Sequence, residues 1–229
     1  MRWSGGGNVG DCRSVEPEVE SGTTGHSGIV TSEAELRLIY KQPTPLAVAK
    51  EIGQLDSHCR GFIALSPFLC IGTMSPDGAA DVSPRGGAPG FVQVLDPNHL
   101  ALPDRPGNNR LDTLLNILRQ PNIGMLFFIP GFEDMLRVNG VARVSTDTAL
   151  MNRFIAEGKL PLIVTVVEVR EAQLHCAKAI RRAGLWDPAT QIDRHTFPSL
   201  GQILHDQLTL ERDVADLDES LQKSSLNLY

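Results

Sequence analysis

Residues 83–110 read SPRGGAPGFVQVLDPNHLALPDRPGNNR, and this stretch decides the fold. Two loops rich in arginine and glycine bracket a short hairpin. They are Ser83-Pro84-Arg85-Gly86-Gly87 and Asp104-Arg105-Pro106-Gly107-Asn108-Asn109-Arg110. The hairpin strands are Phe91 to Leu95 and His99 to Leu102, turned by Asp96-Pro97-Asn98. The second loop runs into an amphipathic helix, where Leu111, Leu114, Leu115 and Leu118 follow i, i+3, i+4, i+7 spacing. Hydroxyls, amides, guanidinium groups and free N–H groups at a helix start suit a phosphate monoester. The stretch therefore points to a phosphorylated ligand.

The flanking segments extend the same pattern. Upstream, Phe68 to Thr73 and Ala80 to Ser83 read as a hairpin turned by Pro76-Asp77-Gly78. Downstream, Pro121 ends the helix, and Ile123 to Ile129 reads as an apolar strand buried on both faces. Leu136 to Val144 alternates, with Leu136, Val138, Ala142 and Val144 on one face and Arg137, Asn139 and Arg143 on the other. Ala149 to Ala156 reads as a short helix and Leu162 to Val169 as the last core strand. Six or seven short strands with tight connections and one inserted helix favour an antiparallel barrel over a doubly wound sheet. There is no βαβ alternation, no GxGxxG and no P-loop lysine pattern.

Helices are expected outside this core. Ser32-Glu33-Ala34-Glu35 fits a capping box opening a helix to about Tyr40. Thr44-Pro45 opens another, whose stripe of Leu46, Ala49, Ile52 and Leu55 carries it to about Leu55. Residues 172–183 and 199–223 also read as helical. Three segments follow: a disordered tail over 1–30, a core domain over 31–190, and a helical extension over 191–229. Seven of the 21 glycines fall within the first 28 residues, which supports the tail.

Composition narrows the function classes. A net charge of −6 and a pI near 5.5 argue against a nucleic-acid surface. Apolar-rich stretches reach about eight residues, far short of the ~20 needed to span a bilayer. No apolar signal core follows the N-terminus, so a cytoplasmic location is expected. Cys12, Cys59, Cys70 and Cys176 lack CxxC spacing, which makes them free thiols rather than a zinc site.

Positive charge in the core comes from arginine, because no lysine lies between Lys50 and Lys159. Arg85, Arg105 and Arg110 sit in the two loops and are read as ligand contacts, since their planar forks match phosphate. Arg119 and Arg143 are read as surface residues. Asn108 and Asn109 are either helix N-caps or ligand donors. Asp81 and Asp104 either orient arginines or form turns. Trp186 either anchors the C-terminal helices or walls a ligand. His175 and Cys176 are read as a structural pair.

At these residues the chain resembles the pyridoxamine 5′-phosphate oxidase-like, FMN-binding split-barrel proteins, and within them a branch of uncharacterised FMN-dependent enzymes. The matching pieces are DVSPRG at 81–86, PGFV at 89–92, PDRPGNNRLD at 103–112, Pro130-Gly131, LRVNG at 136–140, and HCAKA at 175–179 followed by Leu185-Trp186. The match covers roughly residues 35–190.

The resemblance implies a six-stranded antiparallel split β-barrel with flanking helices. It implies a homodimer with FMN in clefts between subunits and a small-molecule substrate or reductant. Ser83, Arg85, Asn108, Asn109 and Arg110 would hold the phosphate. Pro103, Asp104 and Arg105 would run along the ribityl chain and ring, with Arg137 and Trp186 near the ring. The pyridoxamine-phosphate oxidase itself has a lysine where Arg85 or Gly86 stands, and its C-terminal substrate-binding Arg and His have no clear counterpart. That substrate is therefore not implied. The expected function is an FMN-dependent oxidoreductase. A non-catalytic flavin carrier or sensor is the first alternative. The second is a haem-binding or haem-degrading protein, with His99 or His175 as ligand.

Overall fold

The structure is a computed structural model and describes residues 28–226 and 228. The expected tail lies almost wholly outside the described residues. The chain divides into two units, Met1–Pro43 and Thr44–Tyr229. In the first, α1 (Glu33–Ile39) starts at Ser32, whose hydroxyl accepts the Glu35 N–H. The Glu35 carboxylate reaches back to the Thr31 N–H, one residue before the position a capping box prescribes.

The second unit holds everything else. Thr44 caps α2 (Pro45–Ala49), and Asp56 caps α3 (Ser57–Leu65). The strands are β1 (Phe68–Met74), β2 (Ala80–Gly86), β3 (Gln93–Asp96), β4 (His99–Asp104), β5 (Asn122–Phe128), β6 (Met135–Ser145) and β7 (Ile163–His175). Between them lie α4 (Asp112–Arg119) and α5 (Thr148–Asn152), and after them α6 (Lys178–Ala183), α7 (Leu200–Leu208) and α8 (Val214–Ser225).

The seven strands form one sheet in the order β2-β1-β5-β6-β7-β4-β3, antiparallel at every ladder. The expectation of a mainly antiparallel β fold with flanking helices holds. The count of six strands is corrected to seven. The sheet is also open: β2 and β3 are its edges, and among the described residues no ladder joins them. Strand β4 runs against β7 from His99↔Glu168 to Asp104↔Ile163, and β3 attaches to the far side of β4.

Strand β7 is longer than its apolar run. Residues 172–175 belong to it and not to a helix, because β6 begins at Met135 and keeps register with β7 to Met135↔His175. Ala172 is held from its other side as well: it exchanges two backbone hydrogen bonds with Ile52, at 2.8 and 3.0 Å. That bridge needs Ile52 in an extended conformation, so α2 stops at Ala49 rather than Leu55. Likewise α5 stops at Asn152, before the tight Ala156–Lys159 turn.

The core alternates as the sequence pattern requires. Ile123, Met125 and Phe127 of β5 pack inward with Leu69 and Ile71 of β1, Leu136 and Val138 of β6 and Val167 of β7. The second face of β5 is only half-buried, not fully buried as expected. Gly140 marks a bulge between β6 and β7. A Cβ there would stand 2.3 Å from the Glu168 carbonyl oxygen, so no other residue fits without backbone movement.

Candidate functional site

Strand β2, the loop after β4 and the first turn of α4 converge on a cleft of about 1080 Å³. That is just above the ~300–1,000 Å³ typical of small-molecule sites. Ser83, Arg85, Pro103, Asp104, Arg105, Asn108, Asn109 and Arg110 all line it. Eight of the ten expected residues are thus brought together from two segments twenty residues apart.

The local backbone shows why these residues face one space. Asn109 and Leu111 both adopt left-handed φ values, 58° and 63°. Neither is glycine, so each carries a conformational cost. Leu111 occupies the cap position of α4 and provides no side-chain cap. Of the two readings of Asn108 and Asn109, the helix cap is not the one the structure adopts. Asn108 Oδ1 instead accepts the Arg110 N–H at 3.1 Å, which closes the turn before the helix. The first N–H groups of α4 therefore lack a side-chain acceptor, and the positive end of the helix dipole faces the cleft.

The charged residues are held in different ways. Arg110 donates from Nε to Asp112 at 2.8 Å, a pair on the exposed rim. Arg105 donates to the carbonyl of Phe154, tying the loop after β4 to the chain beyond α5. Arg85 donates to the Pro84 carbonyl at 2.9 Å. Asp104 is half-buried at the end of β4. Burial pushes its carboxyl above the ordinary range, and the nearby Arg85 partly offsets this.

Sequence reasoning missed Arg153. It lines the same cleft, and a reciprocal pair holds it: Arg153 Nε donates to Gln93 Oε1 at 3.0 Å, and Gln93 Nε2 donates to the Arg153 carbonyl at 2.8 Å. The available signal was the lysine-free interval, within which Arg153 falls.

Two expected residues stand apart from the cleft within one chain. Arg137 lies on β6, ion-paired with Glu171 and with Glu51 at 3.4 Å, and it donates to Gln173 at 2.9 Å. Trp186 follows α6 and donates from Nε1 to the Phe132 carbonyl at 2.7 Å. Of the two histidines weighed as haem ligands, His99 pairs with Asp96 at 3.0 Å. His175 lines a separate pocket of about 360 Å³ with Lys50, Phe62, Phe132 and Cys176. Its pKa is lowered, first by burial and then by Arg137 and Lys50. Among the described residues no group of three or more His, Cys, Asp or Glu is placed to hold a metal ion. No helix among them is long and apolar enough to cross a membrane.

An antiparallel sheet with flanking helices and an arginine-lined cleft at a helix start defines the class: a mainly β domain with one large cleft at the start of α4. The model of the pyridoxamine 5′-phosphate oxidase family matches residues 55–176, more than half of the chain, and the protein belongs to that family. No curated protein sequence matches it.

Among solved structures, HupZ of Group A Streptococcus is 15% identical, with a TM-score of 0.43 over 51% of this chain and 90% of that one. A Clostridium acetobutylicum protein related to general stress protein 26 is 9% identical, with a TM-score of 0.39 over 52% and 86%. The conserved hypothetical protein Rv2991 of Mycobacterium tuberculosis is 15% identical, with a TM-score of 0.39 over 76% and 100%.

Proposed function

We propose that the protein binds FMN in this cleft and acts as an FMN-dependent oxidoreductase on a small-molecule substrate. The observation that carries this reading is the convergence of Ser83, Arg85, Asn108, Asn109 and Arg110 on the uncapped start of α4. Backbone N–H groups, side-chain amides and two guanidinium groups fit a phosphate monoester. The cleft has room for the ribityl chain and ring beyond it, where Pro103, Asp104 and Arg105 would lie. FMN, when bound, supplies hydride transfer, and the chain supplies orientation and charge.

Residues 103 and 104 would border the sugar hydroxyls, for which the Asp104 carboxyl is a hydrogen-bonding partner. Arg153 would add positive charge near the mouth. A homodimer is part of this reading. Arg137 and Trp186 would then act on the ring from the partner subunit, because neither reaches the cleft of its own chain.

The test is the visible spectrum of the purified protein, with the released chromophore identified by mass. A flavin spectrum and the mass of FMN are expected, and Arg85→Ala and Arg110→Ala should purify with reduced occupancy. A colourless protein that gains no band on FMN titration overturns the proposal. Reduction of the bound flavin by NADH or NADPH, with electrons passed onward, separates an oxidoreductase from a carrier.

A further inference from the structure

Four polar side chains between the sheet and α4 are organised around one atom. Asp81 Oδ2, on β2, accepts from Ser83 Oγ at 3.3 Å, from Thr113 Oγ1 at 3.3 Å and from Thr73 Oγ1 at 3.5 Å. Thr73 has committed its single proton to Asp81, so its oxygen is left to accept. It takes the Asn116 amide at 3.0 Å. Thr73, Thr113 and Asn116 are all buried. The bonds to Asp81 are longer than the ~2.7–2.8 Å usual for hydroxyl donors, so the arrangement works as a set and not through one strong contact.

The inward face of α4 holds Thr113, Asn116 and Ile117. A helix that needed only to be glued down would carry apolar groups there, since a buried polar group costs free energy unless it is paired. Two of these three positions are polar, and both lead to Asp81, one directly and one through Thr73. Apolar contact lets a helix slide, whereas a hydrogen bond to a named atom sets where the helix begins. The start of α4 has no cap of its own to do this.

We propose that Asp81 is a positioning residue for the anion end of the cleft, its one carboxylate oxygen setting the spacing between Ser83 on β2 and the first turn of α4. The inference rests on the reading of the cleft as a phosphate site. Ser83, Thr113 and Arg110 all border that cleft. Asp81 touches the first two and adds its charge to the field at the third. Both hydroxyls spend their single proton on Asp81, so it acts on the ligand by placing the strand and the helix start, not through those hydroxyls.

The experiment compares Asp81→Ala and Asp81→Asn in the full chain with two readouts. The first is affinity for FMN and for riboflavin, which lacks the phosphate. Asp81→Ala should weaken FMN about tenfold or more and leave riboflavin nearly unchanged, because loss of the anchor acts on the phosphate end. Asp81→Asn keeps an acceptor oxygen and should recover most of the FMN affinity. The second readout is amide hydrogen exchange at residues 115–118, the first amides of α4 that are bonded within the helix. It should quicken in Asp81→Ala and stay near wild type in Asp81→Asn.

An unchanged ratio of FMN to riboflavin affinity, or tighter FMN binding in Asp81→Ala, overturns the proposal. If the wild-type protein binds no FMN, the cofactor reading fails on its own. Exchange at 115–118 then judges Asp81, and an unchanged rate overturns its positioning role. Should Asp81→Ala not fold, Thr113→Val removes only the helix-side hydroxyl and must give the same pattern.

Discussion

The guanidinium of Arg105, in the loop after β4, donates to the main-chain carbonyl of Phe154, forty-nine residues further along the chain. Phe154 is buried under β4 and β7 with Ala101 and Val164. One side chain thus ties a cleft loop to the second, smaller core.

Arg105→Ala should destabilise the fold by about 1.5–3 kcal/mol, the usual range for a hydrogen bond to a charged group. The midpoint of urea unfolding reports this, with the slope unchanged. Arg105→Lys keeps the charge but not the planar fork, and should recover only part of the loss. Full stability in the alanine variant would show that the tie is not used.

Asp104 gives a dependence on pH. Its carboxyl titrates above the ordinary range, chiefly through burial. The folded state therefore holds that proton more tightly than the unfolded chain. The resulting stability is fully present below the unfolded pKa and is lost as pH rises through the folded one. Asp104→Asn removes the cost of a buried charge at neutral pH. Its thermal midpoint relative to wild type should be more favourable at pH 7 than at pH 4, and the reverse order would contradict the assignment.

Gly140 is a packing constraint. Alanine there must push against the Glu168 carbonyl and the Val167 side chain, which a Cβ would approach to 2.3 and 2.9 Å. Gly140→Ala should cost about 2–3 kcal/mol through overpacking, read from the same urea midpoint. A variant as stable as wild type would mean that β6 and β7 part without penalty at the bulge.

The cysteines should react in a fixed order. Cys59 is buried in the core, and burial pushes its thiol from 9.0 to about 11. Cys176 is exposed, and its pKa is lowered, first by the Lys178 N–H and then by the charges of Lys178 and Lys50. Among the described cysteines, iodoacetamide at neutral pH should label Cys176 first and Cys59 only on unfolding, as peptide masses will show. The Cys59 thiol also favours the folded state only while neutral, so stability should fall as pH climbs from about 9 towards 11.

Much of the cleft was legible because its chemistry is local. Two short loops carry their arginines, glycines and amides within a few residues of one another, and the pattern survives without any knowledge of pairing. Arg153 was not legible in that way, because its place depends on Gln93, sixty residues earlier. Residues 172–175 were misread for a related reason. They run straight into the residues that form α6, while their own conformation is set by ladders to Met135–Val138 and to Ile52. The missing cap on α4 could not be foreseen either: Asn at 108 and 109 signals a cap, and the left-handed Leu111 displaces it by bringing the helix start two residues later. The β3–β4 pair was visible as a hairpin, but the attachment of β4 to β7 was not.

The pairing of β4 with β7 also has a consequence for synthesis. Strand β4 ends in Pro103 and Asp104 on the cleft wall, and apart from its own hairpin it is laddered only to residues 163–168. A ribosome delivers those residues some sixty positions after β4 has emerged. Until then the β3–β4 hairpin has no neighbour on its inner side, while β1, β2, β5 and β6 can already pair. The ligand site is therefore completed late on the growing chain, and a nascent protein arrested before β7 would hold the arginine loops without the wall that faces them.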